Sequence, residues 1–431
     1  MTATTANGKT QSQVEHVDLD YSLEPVPKTA RKGFLAMFFI MLGFTFFSAS
    51  MWTGVELAQG LDLGGFMGAV MIGGVILAAY TGVLGYIGCD TGLSFDLLAH
   101  KSFGKYGSYL PSAMISFTQI GWFGVGVAMF AIPAAAELNR MMGTDYQWLT
   151  YALVALAGLC MTGSAYFGIK ALEIVSYVSV PLIALLGSYS MIKAINDGGS
   201  LSAMFAQSTG GLTLFSGVGL VIGSFVSGGT ATPNFVRFAK NNKVAVITTV
   251  IAFFLGNTLM FMFGGTAGAF ANGSNDIFFV MIAQGLTIPA FLVLGANIWT
   301  TNDNALYTGA LGLSNITKVR KRPMVLVSGV IGTVTAVWLY NNFCDWLTIL
   351  NATLPPVGAI IALDYFLDRA KYRDGSTANE RNVNWAAIVG VIAGAVVGNL
   401  VTWGIGSINA MVVACACYIA GRGVDKALRK S

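Results

Sequence analysis

The chain has 431 residues, 55% of them hydrophobic and only 10% charged, with a mean hydropathy of +0.68 and a net charge of +4. An average soluble chain carries roughly 25% charged residues, so this composition excludes an ordinary soluble protein and describes a polytopic membrane protein. The apolar stretches are about twenty residues long, which suits helices crossing a roughly 30 Å hydrocarbon layer and not the ten-residue alternation of a membrane barrel. The expected fold class is therefore an all-α membrane protein.

The first thirty residues, MTATTANGKTQSQVEHVDLDYSLEPVPKTA, are polar and have no apolar core before a small-residue cleavage site. They read as a cytoplasmic tail, residues 1–30, and not as a signal peptide. NGKT within them has neither the upstream glycine nor the strand-to-helix setting of a phosphate loop. Twelve spans follow, at roughly 33–53, 64–87, 110–136, 149–168, 172–194, 213–238, 244–270, 280–312, 323–340, 343–365, 384–404 and 407–421. With the first tail cytoplasmic, all of the 24 Lys and Arg residues except Arg140 and Lys193 fall on one side. That positive-inside pattern puts both termini, including the tail at 422–431, in the cytoplasm. The positive charge thus reports topology and implies no nucleic-acid partner. Cys89, Cys160, Cys344, Cys415 and Cys417 lie in or beside apolar runs without CxxC spacing, which supports neither a zinc site nor a disulfide framework. Glu56, Asp90 and Asp364 sit near expected helix ends, where solvated roles are the ordinary reading.

An internal echo links two spans. Span one contains GFTFFSAS (Gly43 to Ser50) and span six contains GSFVSGGT (Gly223 to Thr230), each in mid-membrane. The two spans are five apart and so run in opposite directions, which is the signature of an inverted five-helix repeat with broken helices 1 and 6 facing one site. The repeats are expected at 31–196 and 207–366, with two further helices at 384–421. In span six, Gly228 and Gly229 tolerate irregular dihedrals, Thr230 or Thr232 is the expected cap of a new half-helix, and Pro233 suits its first turn. Backbone groups freed by such breaks must line a cavity or hold a ligand, since unpaired groups in lipid cost several kcal/mol each.

Span three supplies TQIGWFGVG, which places Gln119 and Trp122 on one helical face. Trp122 lies too deep for an interfacial anchor, and its indole NH needs a partner there. Trp122 and Phe225 of span six could sandwich a planar ring, with Ser227, Gln119 and Asn297 supplying directional hydrogen bonds to a heterocycle. Span eight carries NIWTTNDN. At 100° per residue Asn297, Thr300, Thr301 and Asn304 share a face, an oxygen-rich stripe suited to a hard monovalent cation, for which sodium is the natural candidate. Asp303 is the only carboxylate of that span and the default candidate for a proton relay.

The words PVPKTARKG, MLGFTFFSASMWTG, GWFGVGVAMFAIP, FFLGN, NIWTTNDNALY, WLYNNF and PPVGAIIALDY resemble the bacterial cytosine-permease branch of the nucleobase:cation symporter-1 family, over about Pro25 to Tyr365. The resemblance implies a five-plus-five inverted-repeat transporter of the bacterial inner membrane, importing cytosine with sodium by alternating access and working as a monomer without a cofactor. It implies that the base lies between Trp122 and Phe225, that Ser227 and the backbone beside Gly228 bond the pyrimidine edge, and that Gln119 and Asn297 add polar contacts. It also implies a sodium site built from the carbonyls of Gly43 and Phe46 with Asn297, Thr300 and Thr301. Hydantoin carriers of the family typically have a second Trp where this chain has Phe225, which favours a small single ring here.

Three rival readings stand beside this one. A proton-coupled permease for a related heterocycle would use Asp303. An intramembrane enzyme is disfavoured, because the chain has only His16 and His100 and neither an HExxH nor a GxSxG motif. A channel is disfavoured because interrupted helices around a varied central site suit alternation better than a continuous pore.

Overall fold

The computed structural model describes residues 21–428 apart from 168, 207, 209, 271–276, 343–345, 347–351, 374–380 and 402. Most of the expected N-terminal tail, the end of the C-terminal one, Cys344 and much of the first half of the expected span 343–365 lie outside the described residues. Among those described, the chain is helical, with one isolated parallel bridge between Lys32 and Ala239.

The first span is a bent pair. α1 (Phe34–Thr45) closes with the Phe46 amide on the Leu42 carbonyl, Phe46 and Phe47 leave helical geometry (ψ 89° and 130°), and α2 (Ser48–Gly60) departs at 51°. The Thr45 hydroxyl folds back onto the Met41 and Leu42 carbonyls at 3.2 and 3.3 Å, a local bond of the kind that bends helices. The break stands where GFTFFSAS places it, and the span runs on to Gly60, beyond the expected end at 53. α3 (Leu63–Thr91) starts at an Asp62 cap, with the Gly65 amide 2.7 Å from the carboxylate, and ends at Gly92, whose φ of 72° suits glycine. Then come α4 (Phe95–Phe103), capped by Ser94, α5 (Tyr109–Met142), α6 (Gln147–Tyr166), α7 (Ile169–Asp197) and the short α8 (Leu201–Phe205).

The sixth span corrects an expectation. α9 (Leu214–Thr230) runs unbroken through Gly228 and Gly229, and the interruption comes at Ala231 and Thr232. Neither threonine caps: the Thr230 hydroxyl donates to the Val226 carbonyl at 2.8 Å, and Thr232 makes no side-chain cap. Pro233 does open the next helix, but that helix, α10 (Pro233–Val236), is a single turn and not a half-span. Gly228 and Gly229 serve closeness instead of unusual dihedrals. A Cβ on Gly228 would come within 2.7 Å of the Phe225 ring, and one on Gly229 within 2.8 Å of Thr81.

α11 (Asn242–Val250) passes through a π-helical stretch, Ile251–Gly256, into α12 (Asn257–Phe270). After α13 (Ile277–Ala283) come α14 (Thr287–Thr317), α15 (Lys321–Asn341), α16 (Pro355–Leu367), the one-turn α17 (Ala370–Arg373), α18 (Trp385–Leu400) and α19 (Gly406–Leu428). Among the described residues eight helices are long and apolar enough to cross a membrane, or nine with the α1–α2 pair; α16 and α18 are shorter apolar helices. Large apolar side chains such as Val334 (80% exposed) and Leu159 (72%) stand on the outside, as they do when lipid is the solvent.

Packing sorts the helices into three groups. α1, α2, α3, α9, α11 and α12 pack together, α5, α6, α14 and α15 form a second group, and α16, α18 and α19 a third. α7 touches α1, α12 and α14 and so joins the first two groups. The Lys/Arg-rich end is tied by a network around Asp364, which is 1% exposed and not solvated as its place near a helix end suggested. Its oxygens accept from Lys371 and Tyr372 at 2.6 Å, Tyr418 at 2.5 Å and Arg422 at 3.1 Å. The covering residues come from α17, close by in sequence, and from α19, which sequence position alone does not bring near.

Candidate functional site at the break of the first span

The break leaves the last carbonyls of α1 beyond the reach of intrahelical donors. α14 meets them. The Asn297 side chain clasps both strands of the break: its amide NH2 donates to the Phe46 carbonyl, and its oxygen accepts the Ser48 amide at 3.0 Å. Thr301 reaches the same Phe46 carbonyl at 3.3 Å. The spacing i, i+4 puts these two side chains one above the other on the face turned to the break. Thr300 and Asn304 share the stripe but bond their own helix, Thr300 to the Asn297 carbonyl at 2.7 Å and Asn304 to the Thr300 carbonyl at 2.8 Å. Gly43 sits where α1 meets α7, with no room for a Cβ beside the buried Ser176 hydroxyl. The donors gathered here are neutral oxygens, the set that suits a monovalent cation. Among the described residues no group of three or more His, Cys, Asp or Glu side chains is placed to hold a metal.

Beside the break lies a cavity of about 270 Å³. Its walls are aromatic: Trp122 of α5, Phe225 of α9, and Phe44 and Phe47 from the two sides of the break. Phe47 meets Trp122 edge to face at 5.7 Å, and Phe44 meets Phe225 in the same way at 5.3 Å. The polar lining is sparse. The Trp122 indole donates to the Ser227 hydroxyl at 2.8 Å. Gln119, 2% exposed, lines the cavity with an amide nitrogen that has no protein partner. Gly228 and Thr301 also line it, so one threonine touches both the cavity and the broken backbone.

The sequence-derived set therefore falls into two adjoining places. Gln119, Trp122, Phe225, Ser227 and Gly228 line the cavity; Asn297 is not among its lining residues and stands at the break, with Phe46 and Thr301. Sequence reasoning missed Phe44, Phe47, Ser224 and Ala305 as lining residues. The first two were in view within GFTFFSAS, where the signal was read for backbone only. Asp303 faces elsewhere. Its carboxylate accepts from Ser164 of α6 at 2.6 Å, and Ser164 accepts in turn from the Trp299 indole at 2.6 Å.

A family profile described as "Permease for cytosine/purines, uracil, thiamine, allantoin" matches residues 25–421. The chain is 50% identical to the cytosine permease of Escherichia coli K12 over 403 residues, 93% of this chain and 94% of that one. It is 26% identical to the hydantoin permease of Microbacterium maritypicum, covering 69% of this chain and 67% of that one. Its fold is similar to that of Mhp1, a nucleobase-cation-symport-1 transporter, in a closed conformation with bromovinylhydantoin bound (TM-score 0.77, 20% identity, 94% of this chain and 96% of that one). The inward-facing conformation of Mhp1 is matched about equally, at a TM-score of 0.78 and 18% identity over 94% of this chain and 93% of that one.

Proposed function

The chain belongs to the family of permeases for cytosine/purines, uracil, thiamine and allantoin, and on that premise we propose that it imports cytosine across the bacterial cytoplasmic membrane together with sodium. It is a permease and not an enzyme. The base stacks between Trp122 and Phe225, with Ser227, the Gly228 backbone and the Gln119 amide on its polar edge and Asn297 close behind. The unpartnered Gln119 nitrogen supports this, since a buried donor without a protein partner costs roughly 1–3 kcal/mol until a ligand accepts from it. Sodium takes the carbonyls of Gly43 and Phe46 with Asn297, Thr300 and Thr301.

The observation that carries coupling is Thr301, which bonds the Phe46 carbonyl and lines the cavity. An ion drawing Thr301 and Phe46 into its shell fixes one wall of the base site, so each ligand favours the other. The helices group in a manner consistent with two inverted repeats, 31–196 and 207–366, followed by the helices at 384–421. The first two spans pack with spans six and seven, and spans three and four with eight and nine. Rocking of the first group against the second then exposes the loaded site inward. The Lys/Arg-rich end and both termini face the cytoplasm, and one chain holds the whole site, as a working monomer requires. A tenfold sodium gradient contributes about 1.4 kcal/mol and 100 mV about 2.3 kcal/mol, so one ion sustains roughly several-hundred-fold accumulation of a neutral base.

The deciding experiment is uptake of labelled cytosine by purified protein in liposomes, with and without an inward sodium gradient at fixed pH. Uptake that follows sodium supports substrate and coupling together. Uptake indifferent to sodium and driven by a proton gradient turns the reading to Asp303, whose burial in α14 favours that alternative. Absence of cytosine uptake removes the substrate assignment.

A further inference from the structure

Below the cavity, toward the Lys/Arg-rich end, the helices that line it continue as a buried polar column. On α14, Thr308 lies one turn beyond Ala305 and Gly312 two turns beyond, about 10 Å along the axis. On α5, Ser116 and Ser112 lie one and two turns beneath Gln119. Thr232 stands in the interruption of the sixth span and Asn234 just past it. Asp96 of α4 closes the bottom. It accepts the Ser112 hydroxyl at 2.6 Å, Ser112 accepts the Asn315 amide at 2.8 Å, and the neighbouring Phe95 NH donates to the Asn234 side-chain oxygen at 2.8 Å. The column is shut: a Cβ on Gly312 would lie 2.7 Å from the Ser112 carbonyl and 3.3 Å from Asp96.

Four polar atoms along it are buried without a protein partner: the second Asp96 oxygen, the Asn234 side-chain nitrogen and the hydroxyls of Thr232 and Thr308. Each such atom costs roughly 1–3 kcal/mol, so each calls for a physical reason. Burial also pushes the Asp96 carboxyl up to about 7, against the Ser112 hydrogen bond and the charges of Arg237 and Lys318. All four atoms would gain partners if the column opened to water or to a passing solute.

We propose that this column is the release route to the cytoplasm and that the start of α4, where the Phe95 NH holds Asn234 of α10 and Asp96 holds Ser112 of α5, is its gate. Opening separates the Phe95 NH from Asn234 and offers a row of hydroxyls and amides to a small, neutral, planar heterocycle that leaves the aromatic cavity. The route rests on the reading of that cavity as the substrate site.

The test uses the full chain. Cytosine binding is measured in detergent and uptake in liposomes. A Thr308→Cys variant is treated with a membrane-impermeant methanethiosulfonate from each side, its rate taken relative to protein without the added cysteine. Asp96→Asn should leave binding within about twofold while uptake falls about tenfold, as for a step that gates turnover. Thr308→Cys should react from the cytoplasmic side alone, about fivefold faster when cytosine and sodium are both present. A Thr232→Cys variant gives the same readout should Thr308→Cys fail to fold. Parallel loss of binding and uptake in Asp96→Asn, reaction from the outer side, or no reaction from inside during transport overturns the gate. Should the wild type neither bind nor carry cytosine, the substrate reading fails, and the side from which Thr308→Cys reacts still decides the route.

Discussion

Along α14, Asn297 and Thr301 face the broken backbone of the first span, whereas Asn302 and Asp303, about 140° and 240° round the helix from Asn297, face α5 and α6. Both faces carry amides and oxygens, and both are buried. The first meets backbone groups that helix geometry cannot satisfy, beside a cavity. The second meets an intact helix: the Asn302 amide donates to the Phe123 carbonyl at 3.2 Å, and Asp303 is held by Ser164. Polarity in a membrane helix thus takes its meaning from the partner. One face meets an interrupted helix beside a cavity, and the other fastens three helices of the same group together.

The comparison predicts a graded series of losses. Asn297→Ala should be the most severe, because it strips the Phe46 carbonyl and the Ser48 amide of a shared partner. At roughly 1–3 kcal/mol for each buried group left unmatched, sodium-driven uptake should fall by about a hundredfold, with thermal unfolding measured alongside to separate transport from folding. Next comes Trp122→Ala, which removes one wall of the cavity and the donor to Ser227. Base stacking of roughly 1–3 kcal/mol implies that the Kd for cytosine rises about ten- to hundredfold. The sodium concentration for half-maximal uptake should stay unchanged, and a shift in it would show that Trp122 also supports the break.

How much of this was legible in the sequence follows from the kind of signal each feature leaves. Hydropathy gave the membrane helices, because a helix in lipid must be apolar along its length whatever its neighbours. Spacing brought Gln119 beside Trp122 and Asn297 beside Thr301, since i+3 and i+4 are fixed by the helix itself. The interruption of the sixth span was misplaced because glycine has two uses. Gly228 and Gly229 make room for Phe225, Phe44 and Thr81, and no letter of GSFVSGGT distinguishes room from irregular dihedrals. Asp364 was misread because its partners Tyr418 and Arg422 arrive more than fifty residues later. Asp303 sits in the same word as the stripe, and only its contact with Ser164 of α6 separates it from the break.

A milder loss is expected at Thr301. Thr301→Ala keeps the Asn297 clasp and removes one oxygen, so half-maximal uptake should need about tenfold more sodium, equivalent to about 1.4 kcal/mol. Cytosine affinity at saturating sodium should hold within about twofold, and Thr301→Ser should restore the sodium response because it returns the hydroxyl alone. Failure of that rescue would mean that the threonine methyl, and not the hydroxyl, is what matters.

The smallest effect belongs to the other face. Asp303→Asn preserves an oxygen to accept from Ser164 and removes the carboxyl group, and a side-chain hydrogen bond between membrane helices is worth roughly 0.6 kcal/mol. Sodium-driven cytosine uptake should therefore stay within about threefold of the wild type, with its sodium dependence intact. Ser164→Ala removes the partner of both Asp303 and the Trp299 indole, so it should lower thermal stability more than Asp303→Asn does while leaving the sodium dependence intact. A collapse of uptake in Asp303→Asn, together with loss of a response to an imposed proton gradient, would reverse the comparison: the face packed on α6 would then carry the coupling ion, and the oxygens at the break would serve to hold α1 and α2 at their bend.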